Sequence, residues 1–130
     1  MHYSVGALIT QNGKYLMIDR TSPPLGFACI AGHIDDGEEE VQALKREIKE
    51  ESGLTVRDLK LLFKEKIDWN WCKRGIKVHY WSLFNCKVSG KIKQNKEESK
   101  SINWYTKKQI QKLKLEPVWE YWFRKLNIIP

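Results

Sequence analysis

Residues 32–54 read GHIDDGEEEVQALKREIKEESGL, and no other stretch constrains the chain as tightly. Val41, Leu44 and Ile48 recur at helical spacing and predict an amphipathic helix with that stripe against a core. Asp35-Asp36-Gly37 is a turn signal, and Asp35 or Asp36 is expected to cap the first amides. Glu38, Glu39 and Glu40 would then occupy the first turn, where the helix dipole favours negative charge. Gly53 suits a left-handed C-terminal stop. Glu47, Glu50 and Glu51 fall at i, i+3 and i+4. At roughly 100° per residue they share one face, about a quarter turn from the apolar stripe, half exposed at the rim of the core. Ala43, small and one turn before Glu47, leaves room there. Like charges so spaced cost roughly 0.2–0.5 kcal/mol per pair, and the last turns of a helix already disfavour negative charge. A helix selected for stability alone would not be built this way. A bound hard cation removes both penalties, because Mg²⁺ takes oxygen ligands and bridges carboxylates to phosphates.

The register of this stretch resembles the signature of the Nudix hydrolases, MutT-like enzymes. That signature is Gly, five residues, Glu, seven residues, Arg-Glu-apolar, one residue, Glu-Glu, one residue, Gly-apolar. Gly32, Glu38, Arg46, Glu47, Ile48, Glu50, Glu51, Gly53 and Leu54 meet every fixed position. An ordinary acidic amphipathic helix accounts for Val41, Leu44 and Ile48. It does not account for Arg46 beside Glu47, nor for acids at the wrong end of a helix. The resemblance implies an α/β fold, a Nudix-type α/β/α sandwich with a mixed β-sheet, spanning residues 1–130 as a single domain.

The resemblance also implies metal-dependent hydrolysis of a phosphoanhydride bond, in a nucleoside diphosphate linked to another moiety. The foremost candidate is a nucleoside triphosphate or related nucleotide. Such chemistry needs charge neutralisation on the bridging and leaving oxygens and an oriented water. By resemblance Glu47, Glu50 and Glu51 hold Mg²⁺, with Mn²⁺ as the alternative ion, and the carbonyl of Ala31 is a further ligand. Relatives often have Pro-Gly-Gly where this chain has Ile30-Ala31-Gly32, and Ala31 restricts the backbone slightly. Glu47, with Glu50 close behind, is the expected general base. Glu98, in the acidic pair before Trp104, is a fourth metal-binding acid. Arg46, planar and always charged, is expected to hold a carboxylate in place, and Glu38 to fix the preceding loop. Arg20 and His33 are candidates to meet a phosphate. Trp69 and Trp71 are candidates to stack on a base, which is worth roughly 1–3 kcal/mol per base. Trp81, Trp104, Trp119 and Trp122 are assigned to packing.

The remaining residues fit one mixed sheet flanked by helices. Tyr3 to Thr10 and Lys14 to Arg20 read as strands about an Asn12-Gly13 hairpin turn. Ser22 to Gly26 is a loop, and Phe27 to Ala31 a short strand entering Gly32. Thr55 to Asp68 reads as one long or broken strand, Trp69 to Gly75 as a turn, and Ile76 to Val88 as a strand. Ile92 is placed at the start of a short strand, Gln94 to Lys100 in a polar loop, and Ile102 to Tyr105 in a strand. Thr106 caps a helix through about Leu113, and Pro117 opens a last helix over Val118 to Leu126.

No apolar run is long enough to span a bilayer, and MHYSVGALIT lacks the basic leader and cleavage site of a signal peptide. Cys29, Cys72 and Cys86 form neither a zinc pattern nor a disulfide framework, so a reducing cytoplasm is expected. The net charge of +7 comes from lysines crowded into the C-terminal third. It reads as a solvated surface or a steering field for polyphosphates, without a nucleic-acid motif. The partner expected is a small-molecule nucleotide, for a monomer or homodimer. Substrate markers outside the signature are missing: near the position where ADP-ribose hydrolases carry a proline stands Asn70. Two other classes are weighed. An RNA 5′-end pyrophosphohydrolase would exploit the basic surface, with steep salt dependence. A non-catalytic nucleotide-binding sensor should have lost acids of the helix, and none is missing.

Overall fold

The computed structural model describes residues 2–69 and 79–130. Ten elements follow in order: β1 (His2–Gln11), β2 (Lys14–Arg20), β3 (Phe27–Ala28), β4 (Ile30–His33), α1 (Glu40–Ser52), β5 (Thr55–Ile67), β6 (His79–Ser89), β7 (Ser99–Thr106), α2 (Lys107–Ile110) and α3 (Pro117–Lys125). β1 is the hinge of the sheet. It pairs antiparallel with β4 and parallel with β6, which in turn carries β5 antiparallel. At Thr10 and Gln11 it turns through Asn12-Gly13 into β2, which pairs with β3 and β7.

Alternation along β1 and β6 decides which helix covers which face. Val5, Ala7, Ile9, Phe84 and Cys86 point one way and bury with Ala43, Leu44 and Ile48 of α1. Leu8, Trp81 and Leu83 point the other way and bury with Val118, Trp119, Trp122 and Phe123 of α3. The mixed sheet thus has a helix on each face, the α/β arrangement expected. Gly6 lies on the α3 face. A Cβ there would stand 3.0 Å from Leu83 Cδ1 and 3.1 Å from both Trp81 and Trp119, whose rings meet edge to face at 6.3 Å.

Several boundaries differ from the sequence reading. The expected strand from Phe27 to Ala31 is two strands in two parts of the sheet: β3 pairs with β2 and β4 with β1. The first turn of α1 holds Glu40 alone of the three glutamates, and the N-cap is Glu39, not Asp35 or Asp36. The Glu39 amide donates to Gln42 Oε1 at 3.3 Å. Asp35 instead closes a tight turn with Glu38, each backbone amide answered by the other residue's oxygen at 3.0 Å. Gly53 ends α1 as expected, at φ 75° with its amide on the Lys49 carbonyl. Ile92 lies outside any strand, and β7 begins earlier, at Ser99. Thr106 does cap α2, accepting from the Gln109 amide at 3.2 Å, but that helix stops at Ile110. Trp71, Asn70 and the expected turn through Gly75 lie outside the described residues.

Candidate active site

The acids of α1 are graded in burial rather than uniformly half exposed. Glu51 is buried, Glu47 partly buried, and Glu50 exposed. The helix wheel explains the order. At about 100° per residue Glu51 lies roughly 20° from Leu44, Glu47 about 60° from it, and Glu50 on the far side.

Arg46 organises the face. Its Nε donates to Glu38 Oε2 at 2.7 Å and its Nη2 to Glu38 Oε1 at 3.0 Å, a two-pronged grip. Nη1 reaches Glu47 Oε1 at 2.9 Å and Glu50 Oε2 at 3.3 Å. Nη2 also donates to the carbonyl of His33 at 3.1 Å. One guanidinium therefore ties α1 to the end of β4 and to the 35–38 turn. The bond from Arg46, aided by the Asp35 amide, holds the Glu38 carboxyl down at about 2, and these carboxylates raise the arginine in turn.

Gly32 makes room for this. A Cβ built there would fall within the Glu47 carboxyl group, so only glycine lets β4 lie against that acid. Burial pushes Glu47 up to about 7; Arg46 opposes the rise, and Glu50 and Glu98 add to it. Burial raises Glu51 well above the ordinary glutamate range, with Glu47 and Glu98 next in effect and Arg20 opposing. Glu51 Oε2 is buried with no hydrogen-bond partner, and such an atom costs roughly 1–3 kcal/mol or more when charged. Glu98 lies in the loop that Asn95 Nδ2 ties to the Glu50 carbonyl of α1 at 3.4 Å, and its amide donates to the Asn95 carbonyl at 3.1 Å. Its carbonyl accepts from the Thr21 amide at 3.3 Å, joining its loop to the end of β2.

A cleft of about 350 Å³ opens beside Glu47. Arg20, Ala31, Gly32, His33 and Arg46 line one part, and His79, Trp81, Glu116 and Trp119 line another. Arg20 Nε donates to the Pro24 carbonyl at 2.8 Å, which fixes the side chain. His33 stacks on His79 with centroids 5.7 Å apart. Among the described residues no three His, Cys, Asp or Glu side chains are already drawn together around a cation-sized point. Arg46 explains this for Glu47 and Glu50, since it holds one oxygen of each.

Trp69 is half exposed and edge-on to Tyr121 at 5.5 Å, outside the described lining of the cleft. Trp81 and Trp119, read as packing residues, are buried and also form cleft wall. Glu116 and His79, both buried, line the cleft as well, and neither is among the site residues expected from the sequence. Glu116 is the N-cap of α3 and His79 opens β6. Neither position carries a local signal, because the cleft gathers residues far apart along the chain.

A family model described as NUDIX domain matches residues 1–126. The chain is similar to the NAD-capped RNA hydrolase NUDT12 of Pongo abelii, 32% identical over 88 residues, which are 68% of this chain and 18% of that protein. The chain therefore spans less than a fifth of the length of the curated relatives it matches. Among solved structures it is similar to a MutT NUDIX hydrolase from Burkholderia pseudomallei, with TM-score 0.72, 23% identity and coverage of 83% of this chain and 84% of that one. A MutT protein from Bacillus halodurans also has TM-score 0.72, with 21% identity over 95% and 80% of the two chains. At these identities the structural likeness speaks to the fold. No helix among the described residues is long and apolar enough to cross a membrane.

Proposed function

Because the chain belongs to the NUDIX family of pyrophosphohydrolases, we propose that it cleaves a phosphoanhydride bond in a nucleoside diphosphate linked to another moiety, using a divalent cation held on the acid face of α1. The observation that carries this reading is Glu51, a buried carboxyl with an unpartnered oxygen on the helix that also carries Glu47 and Glu50. An all-oxygen donor set of that kind fits Mg²⁺ or Mn²⁺. Glu47, Glu50, Glu51, Glu98 and the carbonyl of Ala31 would hold the ion. When bound, it supplies charge neutralisation on the diphosphate and a more acidic water.

The chain's own groups do the rest. Glu47, partly buried on the cleft wall, is the group assigned to accept a proton from the attacking water. Arg46 holds that carboxyl in one rotamer and keeps Glu50 beside it. Arg20 and His33, on the cleft wall, face the diphosphate. The nucleoside is assigned to the cleft in preference to Trp69, which lies outside its described lining.

Two measurements test these assignments. Phosphate or pyrophosphate should be released from nucleotide substrates only with Mg²⁺ or Mn²⁺ present, and full activity in excess chelator would sink the reading. Trp69→Ala should leave the Michaelis constant within about twofold, the usual reach of a surface change. A stacking role for Trp69 would instead weaken binding roughly five- to more than a hundredfold.

A second substrate reading, an RNA 5′-end pyrophosphohydrolase, draws support from the relative whose name specifies NAD-capped RNA. It uses the same acids and the same bond type, and differs in what the diphosphate carries. A silent nucleotide sensor fits less well, since every acid of the helix is present.

A further inference from the structure

The acid face has a second hollow on its other side. About 520 Å³ lies between the C-terminal end of α1 and the loop before β7, lined by Lys49, Glu50, Gly53, Lys93, Lys96 and their neighbours. Glu50 belongs to its wall while Glu47, one turn earlier, belongs to the wall of the first cleft. The two spaces therefore flank one set of carboxylates.

The loop carrying the lysines is held in place. The Lys93 amide donates to the Ser52 carbonyl at 2.7 Å, and Asn95 Nδ2 to the Glu50 carbonyl at 3.4 Å. Both bonds satisfy carbonyls at the end of α1 that the helix itself leaves open. Thr21 fastens the far end of the loop through Glu97 and Glu98. Lys49 is engaged with Thr55 Oγ1 at 2.9 Å. Lys93 and Lys96 are exposed, and among the described residues neither is in an ion pair.

A cation on the acid face neutralises only the phosphates it touches. A longer anion continuing past the scissile bond would meet Glu50 and Glu97 unless positive charge stood there, and lysine supplies it as a compact, mobile point charge. Resting on the phosphoanhydride reading above, we infer that this hollow is a second anion subsite, which holds the leaving half of the substrate when that half carries phosphate beyond the scissile bond, as a nucleoside polyphosphate or a polynucleotide does.

The test uses the full chain and a Lys93→Gln/Lys96→Gln variant, compared on three substrates. One is a nucleotide sugar, whose leaving sugar 1-phosphate carries only the phosphate of the scissile bond, the second a dinucleoside polyphosphate, the third a short oligoribonucleotide with a 5′-linked nucleoside diphosphate. The variant should lose roughly two- to thirtyfold in kcat/KM on the two anionic substrates, through KM, given 0.2–1 kcal/mol per exposed charge, and keep its rate on the sugar. On the oligonucleotide the slope of log affinity against log salt should become shallower by about 1.4, for two phosphate contacts on a single strand. Loss on the oligonucleotide alone identifies a polynucleotide as the occupant; loss on both identifies any phosphorylated leaving half. Equal loss on all three substrates, or an unchanged salt slope, overturns the inference. Binding of the 5′-phosphorylated oligonucleotide by anisotropy, without turnover, decides the lysine subsite separately. A wild-type chain that binds it with the full slope but hydrolyses nothing would defeat the hydrolase reading and not this one.

Discussion

Glu51→Gln is expected to lower turnover by at least 10²–10³-fold, the scale on which a preorganised electrostatic contact acts, while making the cation-free protein more stable above neutral pH. The two effects share one cause. The glutamate is buried, its Oε2 has no partner, and the charges of Glu47 and Glu98 oppose its ionisation further. Its folded-state pKa is raised above the ordinary value of 4.5, so the folded protein binds a proton that the unfolded chain releases. Stability from this group is fully present below pH 4.5 and is lost as pH rises through the folded value. Glu47 adds a loss of the same sign between 4.5 and about 7. Thermal unfolding in chelator should therefore show wild-type stability falling across this range. The Gln variant should fall less, so that the curves diverge as pH rises. With saturating Mg²⁺ the order should reverse, since the cation stabilises only the chain that binds it. Wild-type turnover in the variant, or the same pH slope, would put the ion elsewhere.

The contrast between α1 and the cleft shows which parts of the molecule a sequence can declare. The helix was legible because its signals are local: an apolar stripe at helical period, a glycine stop, and acids in one register. Even there, the N-cap was misread. Asp35-Asp36-Gly37 looked like a cap, but Glu39 with Gln42 took that role, and the aspartates lie in a turn that Glu38 closes. The burial order of the three acids could have been read from their angles to Leu44. The division of Phe27–His33 between two parts of the sheet could not, because a two-residue strand has no period.

Arg46 adjoins Glu47 in the chain, and its planar group suggests a holding role. That it grips Glu38 with two nitrogens and also reaches the His33 carbonyl depends on how β4 returns past the helix. The same holds for the cleft. His79, Glu116 and Trp119 share a cleft with Glu47 only because the fold brings β6, the start of α3 and the end of β4 together. Trp81 and Trp119 have the alternation and spacing of core residues, and they are core residues, with Gly6 leaving the space in which the indoles meet; that they also line the cleft is not visible in that spacing.

Gly32→Ala should damage the protein out of proportion to the single methyl group it adds. The new Cβ would fall within the Glu47 carboxyl, and Glu47 cannot simply yield, because Arg46 holds its Oε1 at 2.9 Å. Overpacking of this kind costs about 1–3 kcal/mol. Displacing a reacting group by an ångström can cost about 10²-fold in rate, so kcat should fall on that scale even in the fraction that folds. The mechanism is separable from general strain by a double-mutant cycle. In a Glu47→Ala background the carboxyl is gone and the methyl group has space. Gly32→Ala should then cost less than about 0.5 kcal/mol more, giving a coupling of roughly 0.5–3 kcal/mol between the two sites. Denaturant unfolding of the four proteins measures it. Additive effects would mean that Gly32 is needed for the course of β4 itself, and that the close approach of strand to acid is incidental.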